Sequence, residues 1–207
     1  MNEEWLQRWS EDRIGWHEEE GNASLKKYWR ATGCRVLVPM CGKTPDLVWL
    51  AEQGNEVVGA EISRLAVGSF FEEQGLGYEI EDGDIPVYRA LELPITIYCG
   101  DIFELEGLRC DAHYDRGALV ATPAARRGDY AGQISTLLEP MPEQLIIVLE
   151  YDESIAEGPP FSVPADEILE YWPELVCLEA YDDIVNGPPK FLAAGLEEMV
   201  ELVWRSP

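Results

Sequence analysis

A chain of 207 residues, 46% of them hydrophobic, is long enough for one well-buried α/β domain and too apolar to be disordered. Its net charge of −25, from 40 acidic against 15 basic residues, repels nucleic acid and anionic lipid alike. The same acidic field would attract a cationic ligand or simply keep the surface hydrated, as in a saline habitat.

The N-terminal stretch "MNEEWLQRWSEDRIGW" is acidic and aromatic, unlike a signal peptide. No apolar run in the sequence reaches the roughly 18 residues of a membrane span. A cytoplasmic protein without membrane partners is the expectation. The five cysteines, Cys34, Cys41, Cys99, Cys110 and Cys177, show no CxxC spacing. With only His17 and His113 beside them they form no zinc set, so reduced, mostly core thiols and no metal are expected. Trp5, Trp9 and Trp16 are many rings for an exposed tail: a helix packed on the domain would explain them, and so would a lid that keeps water from a ligand.

The body of the chain alternates. "RVLVP" predicts a buried strand, and "TPDLVWLAEQG" a helix with Thr44 as cap, Pro45 in the first position and Gly54 at the exit. "NEVVGAEI" predicts the next strand and "SRLAVGSFFEEQG" the next helix, capped by Ser63 and left at Gly75. The stretch Leu76 to Pro94 breaks the rhythm and reads as an insertion. Three more strands are predicted at "ITIYCGD", "CDAHYDR" and "QLIIVLEYD", with the helix "RRGDYAGQISTLLEP" before the last of them. "ELVCLEAYDDI" and "EEMVELVW" then read as two late strands, the final one antiparallel. Strands alternating with helices imply a mostly parallel, doubly wound sheet with helices on both faces, in a single domain.

In such a sheet ligands bind beyond the carboxyl ends of the strands. The first strand runs into "PMCGKT", which ends like a phosphate loop, but Leu37 stands where that loop needs its first glycine and Pro39 lacks the N–H of a phosphate cradle. A G-x-G-x-x-G fingerprint is also absent. The second strand ends in Glu61, roughly 20 residues after Gly42, where an acid accepts hydrogen bonds from ribose hydroxyls; a plain exposed strand end is the competing explanation. The third ends in "CGDIF", with Asp101 placed to meet an adenine amino group or merely to build a turn. Together these ends describe a nucleoside site without a pyrophosphate loop, which S-adenosylmethionine fits, having ribose and adenine but no phosphate.

At this point the chain resembles the thiopurine S-methyltransferase family over nearly its whole length. The matching stretches are "RW", "GWHEEEGN", "VLVPMCGKTPDLVWLAEQGNEVVGAEIS", "FFEEQGL", "GDIF", "YDRGALVA" and "LEYD" leading to "GPPFSVP". The resemblance implies a Rossmann-like class I methyltransferase fold with a mostly parallel seven-stranded sheet, using S-adenosylmethionine. It implies one domain over 1–207, with 1–30 as a helical lid segment and 31–207 as the core. It implies cofactor contacts at Trp5, Trp9, Met40, Gly42, Glu61, Ile62, the Asp101 and Ile102 pair, and Arg116. Trp16 corresponds to an aromatic position that faces substrate in the family, and Lys190 in "GPPKFLAAG" to a basic, usually Arg, substrate-side position. Lys cannot reproduce the planar fork of Arg, so acceptor preference is expected to differ.

The remaining candidates have two explanations each. Asp115 and Arg116 in "YDRG" either form an internal pair that orders a loop, or serve catalysis, with Arg116 steering a thiolate or the cofactor carboxylate and Asp115 accepting a proton. "GPPFSVP" is either a rigid connection or a wall of the acceptor pocket through Phe161. Lys43 reads as a helix-start or surface charge, with a cofactor contact as the alternative, and His17 as a packed residue and not a base. The chain lacks a nucleophile-base-acid set and G-x-S-x-G, which suits methyl transfer: an aromatic thiol arrives largely as thiolate and needs positioning more than a strong base. The expected function is S-methylation of small aromatic or heteroaromatic thiols by a monomer acting in detoxification. Methylation of tellurite- or selenite-type chalcogen oxyanions, or nucleoside binding without turnover, are the alternatives.

Overall fold

In the computed structural model, which describes residues 2–207, the chain divides into two compact units. Of the described residues, the first holds 2–113 with Leu137–Pro142, the second Tyr114–Thr136 with Glu143–Pro207.

The first unit opens with helices α1 (Asn2–Ser10) and α2 (Ala23–Tyr28). Acidic Glu3 and Glu4 in the first turn of α1 and Arg8 in its last complement the helix dipole. Asn22 caps α2 by accepting from the Leu25 N–H. Then come β1 (Arg35–Pro39), α3 (Asp46–Glu52), β2 (Glu56–Ala60) and α4 (Arg64–Glu73), the alternation expected from sequence. Ser63 caps α4 as predicted, accepting from the Ala66 N–H. Helix α3 starts one residue later than expected, because Pro45 takes the cap position at φ −67° while the Thr44 hydroxyl accepts from the Asp46 N–H at 3.3 Å.

The Leu76 to Pro94 stretch folds as an antiparallel hairpin, β3 (Tyr78–Glu81) and β4 (Val87–Ala90), which pairs with β5 (Ile95–Tyr98). Aromatic packing holds it: the ring of Phe71 on α4 lies 4.6 Å from that of Tyr78, which lies 5.5 Å from that of Tyr88. Part of its acidity is structural, since Glu92 accepts from the Gly77 N–H and Glu81 pairs with Arg89. The strand order in this unit is β3-β4-β5-β2-β1-β6, where β6 (Cys110–Arg116) runs on into the second unit. Strands β5, β2, β1 and β6 are parallel, and the hairpin strands add to the seven expected. Their buried rows (Val36 to Val38, Val57, Val58, Ile95 and Ile97), with the buried Leu47 and Leu50 of α3 and Val67 and Phe70 of α4, belong to the apolar core, each side chain worth about 1.5–3 kcal/mol of burial.

The second unit takes up β6 at Tyr114 and contains α5 (Ala118–Ala121), α6 (Ala124–Leu137) up to Thr136, β7 (Leu138–Glu150) from Glu143 on, α7 (Ala165–Tyr171), β8 (Val176–Asp182), α8 (Pro189–Ala194) and β9 (Val200–Arg205). Its strands lie in the order β7-β9-β8, with β9 antiparallel to both neighbours, as expected of the last strand. Ala156, Phe191, Leu196 and Met199 form a local core against Leu149, Tyr151 and Ile184. Among the described residues, no helix is long and apolar enough to cross a membrane.

Candidate active site

Parallel register sets the first half of the site. Pro39 pairs with Ala60 and Ala60 with Tyr98, so β1, β2 and β5 end in one row and the residues that follow them emerge together. The loop after β1 turns through left-handed backbone at Met40 (φ +46°) and Gly42 (φ +56°). Glu61 then clamps it: one carboxylate oxygen accepts from the Gly42 N–H at 2.9 Å and the other from the Ser63 N–H at 2.7 Å. Sequence reasoning placed Glu61 correctly at the strand end but not this clamp, which is a contact between side chain and backbone 19 positions apart.

Glu61 is only 5% exposed, and burial raises its pKa to about 7 against the opposing effect of the amides of Ser63, Gly42 and Ile62. Asp101 also divides its oxygens, one accepting from the Phe103 N–H to start the 3-10 turn Ile102–Glu104, the other from Asn2 Nδ2 at 2.7 Å. Ile102 beneath it is buried. These are acceptors, fitted to the hydroxyl and amino donors of a nucleoside, so the residues present suit S-adenosylmethionine. The same residues would not suit a pyrophosphate, whose charge two carboxylates would oppose.

The N-terminal helix contributes to this half. A Cβ at Gly42 would meet the Trp9 ring at 3.1 Å, so Trp9, which is buried, lies directly on the loop. Trp16 meets Trp5 and Trp9 edge-on, with ring centroids 5.1 and 5.8 Å away, and the Arg8 guanidinium lies 5.1 Å from the Trp5 ring. The aromatic cluster expected of a packed helix and of a lid is therefore present. Lys43, half-buried, forms an ion pair with Glu73 at 2.6 Å. Cys41 is buried, and that burial, with Glu61 nearby, pushes its thiol well above the usual range, so it supplies no thiolate. Of the five cysteines Cys41, Cys99 and Cys110 are buried, while Cys177 is exposed.

In the second unit the expected proton acceptor is enclosed by protein. Asp115 has no exposed surface; it accepts from the Ala118 and Leu119 N–H groups at the turn where Gly117 sits at φ +113°, and from the Tyr130 hydroxyl at 2.6 Å. A carboxylate held in this way orders the turn after β6, the loop-ordering role that was one of the two expected of it. Burial raises its pKa to about 6, while the Tyr130 hydroxyl and the two amides work against that rise. Arg116, the next residue, is half-buried at the end of β6.

Phe161 lines a cavity of about 550 Å³ in this unit. Its backbone is fixed by a bond from its N–H to the Val120 carbonyl, and its ring folds so tightly onto Gly158 that a Cβ there would overlap it. Lys190 donates to the Glu157 carbonyl at 2.7 Å and lies 5.2 Å from the ring centre of Phe191. Lys190, on α8, is thus tied to the loop that carries Phe161. No motif or spacing points to the residue that anchors this loop. Arg127, 2% exposed, donates to the carbonyls of Thr122 and Ser162 and pairs with Glu167 at 2.6 Å.

The chain matches the family model described as thiopurine S-methyltransferase over residues 1–206. A thiopurine S-methyltransferase of Pseudomonas syringae pv. syringae is 44% identical, covering 97% of this chain and 94% of the relative, and one of Bordetella petrii is 43% identical over 97% and 95%. Among solved structures, 1,6-didemethyltoxoflavin-N1-methyltransferase of Burkholderia thailandensis, with bound S-adenosylhomocysteine, superposes with a TM-score of 0.61 at 16% identity, over 99% of this chain and 86% of that one. TehB of Haemophilus influenzae superposes with a TM-score of 0.58 at 14% identity, over 89% and 60%. The fold is Rossmann-like class I, the cofactor is S-adenosylmethionine, and this methyltransferase belongs to the thiopurine S-methyltransferase family.

Proposed function

We propose that the enzyme S-methylates small aromatic or heteroaromatic thiols, with residues 1–207 acting as one methyltransferase domain and 1–30 as its lid. The observation that carries this reading is the state of Asp115: the carboxylate at the end of β6 is fully buried and bonded to Tyr130 and two amides, so the acceptor has to bring its own nucleophile. An aromatic thiol does so, being largely thiolate near neutral pH. The name shared by the relatives, thiopurine S-methyltransferase, supports the same class.

Glu61 and Ile62, with Met40 and Gly42, would hold the ribose and methionine portions of the cofactor, and Asp101 with Ile102 the adenine. Trp5 and Trp9 would close over it with water excluded, which strengthens every charge interaction inside. Arg116 would hold an anionic group, either the cofactor carboxylate or the thiolate. Trp16, Phe161 and Lys190 are the acceptor-side residues of this reading. When bound, the cofactor supplies a methyl group on a positively charged sulfur; the acceptor sulfur gains that methyl and its thiol proton ends in solvent. The chain's own contribution is alignment and desolvation, worth up to about 7–11 kcal/mol of barrier in well-oriented reactions.

Chalcogen oxyanions are the weaker reading, since the net charge of −25 repels an anion that has no apolar ring whose burial would offset the repulsion. That charge also favours a monomer, and we place the enzyme in the cytoplasm in a detoxification role. The test is mass-spectrometric detection of S-methyl product from a panel of aromatic thiols, with wild type and Glu61→Ala. Product that falls at least tenfold in the variant is expected; no product from any thiol, with S-adenosylhomocysteine binding intact, overturns the reading.

A further inference from the structure

The cavity at Phe161 has an unusual balance of charge. Its apolar wall comes from Ala124, Ile155 and Phe161, and its charged lining from Arg127, Glu153 and Glu157. Arg127 brings no usable positive charge: it is 2% exposed, its guanidinium is paired with Glu167 at 2.6 Å, and its other donors reach the carbonyls of Thr122 and Ser162. What remains on the lining is two carboxylates. Glu153 is exposed and uses one oxygen to accept from the Ser162 N–H, and Glu157 is exposed. Lys190 offsets at most one of them, and its bond runs to the backbone carbonyl of Glu157.

An anionic ring entering this cavity would meet two carboxylates and an arginine already neutralised. A ring with a positive substituent would gain an aromatic and aliphatic wall on one side and a carboxylate on the other. We propose that the cavity binds small aromatic ligands bearing a positive charge and discriminates against carboxylated ones. Taken with the reading of Phe161 as part of the acceptor side, on which this second step rests, the preferred acceptors are amino-substituted aromatic thiols.

The test titrates the full-length protein with benzyltrimethylammonium and with benzoate, following backbone amide shifts by NMR. Saturable binding of the cation with shifts at Ile155 and Phe161 is expected, with benzoate weaker, and Glu157→Lys should weaken the cation roughly fivefold, the scale of one exposed ion pair. Benzoate binding as tightly as the cation, shifts confined to other residues, or an unchanged affinity in Glu157→Lys overturns the proposal. Initial rates with 4-(aminomethyl)benzenethiol and 4-mercaptobenzoic acid then test the second step. A higher kcat/KM for the amine supports it, and equal or reversed values overturn it while the binding result stands. If the cation binds as described and no thiol at all is methylated, the proposed activity fails and the charge selection of the cavity does not.

Discussion

Asn2 donates from its side-chain amide to a carboxylate oxygen of Asp101 at 2.7 Å, joining the first turn of the N-terminal helix to the strand end proposed to meet the adenine. The same helix rests Trp9 on Gly42, so α1 is attached at both ends of the nucleoside site. The bond is polar and only part-buried, the kind worth about 0.5–1.5 kcal/mol, enough to bias a lid without locking it. Asn2→Ala is therefore expected to raise both the association and the dissociation rate of S-adenosylhomocysteine, by roughly fivefold, with a smaller change in affinity. Stopped-flow tryptophan fluorescence reads both rates; unchanged rates would mean that Asn2 does not hold the helix in place.

Glu61 makes the site sensitive to pH. Its carboxyl titrates near pH 7, mainly because it is buried, so below that pH it holds a proton and loses acceptor strength toward ribose hydroxyls. Affinity for S-adenosylhomocysteine should fall as pH drops below 7, approaching tenfold per unit, and this dependence should vanish in Glu61→Gln. Stability runs the other way. With a folded pKa of about 7 against 4.5 for the free group, the folded state binds the extra proton, so this contribution is full below pH 4.5 and is lost as pH rises to 7. The amount is roughly 3 kcal/mol. Thermal denaturation of wild type and Glu61→Gln between pH 4.5 and 8 checks the sign: the wild type should show the steeper decline on going up.

Gly42 is fixed by two independent constraints. Its φ of +56° disfavours any side chain, and a Cβ there would stand 3.1 Å from the Trp9 ring. Gly42→Ala should cost about 1–2 kcal/mol through the backbone alone. Because the added methyl also pushes on Trp9, affinity for S-adenosylhomocysteine should drop along with the melting temperature. Gly42→Ala with Trp9→Leu should recover part of the affinity loss and none of the backbone cost, measured by calorimetry and thermal denaturation. A Gly42→Ala protein as stable and as tight-binding as wild type would remove both constraints.

What could be read in the sequence follows from where the determinants lie. Strands β1, β2 and β6 and helix α4 are written locally, in apolar runs bounded by a serine cap and glycine exits, and parallel register then puts Glu61 and the Asp101 turn at neighbouring strand ends. The hairpin of β3 and β4 escaped because its signal is aromatic packing of Tyr78 and Tyr88 with Phe71 across segments, in a stretch whose composition reads as a polar insertion. The position of Asp115 was legible but its partner was not, because Tyr130 lies 15 residues ahead on a helix. Asn2 with Asp101 and Arg127 with Ser162 and Glu167 are long-range pairs of common residue types, and no spacing rule announces them.

Arg127 carries the last prediction. Its guanidinium ties the Thr122 turn, the Ser162 carbonyl behind Phe161 and Glu167 on α7 together from a nearly dry position. Removing one partner of a buried pair strands the other and costs about 3–5 kcal/mol, whereas replacing both with apolar groups of similar size comes close to neutral. Arg127→Met should therefore unfold at much lower denaturant concentration than wild type, and Arg127→Met with Glu167→Leu should recover more than half of the loss. The two carbonyls released in both variants keep the recovery incomplete, because each is left without its charged donor. If the double variant is no more stable than the single one, the ion pair is not what holds this loop, and the carbonyl bonds of Arg127 carry the whole effect.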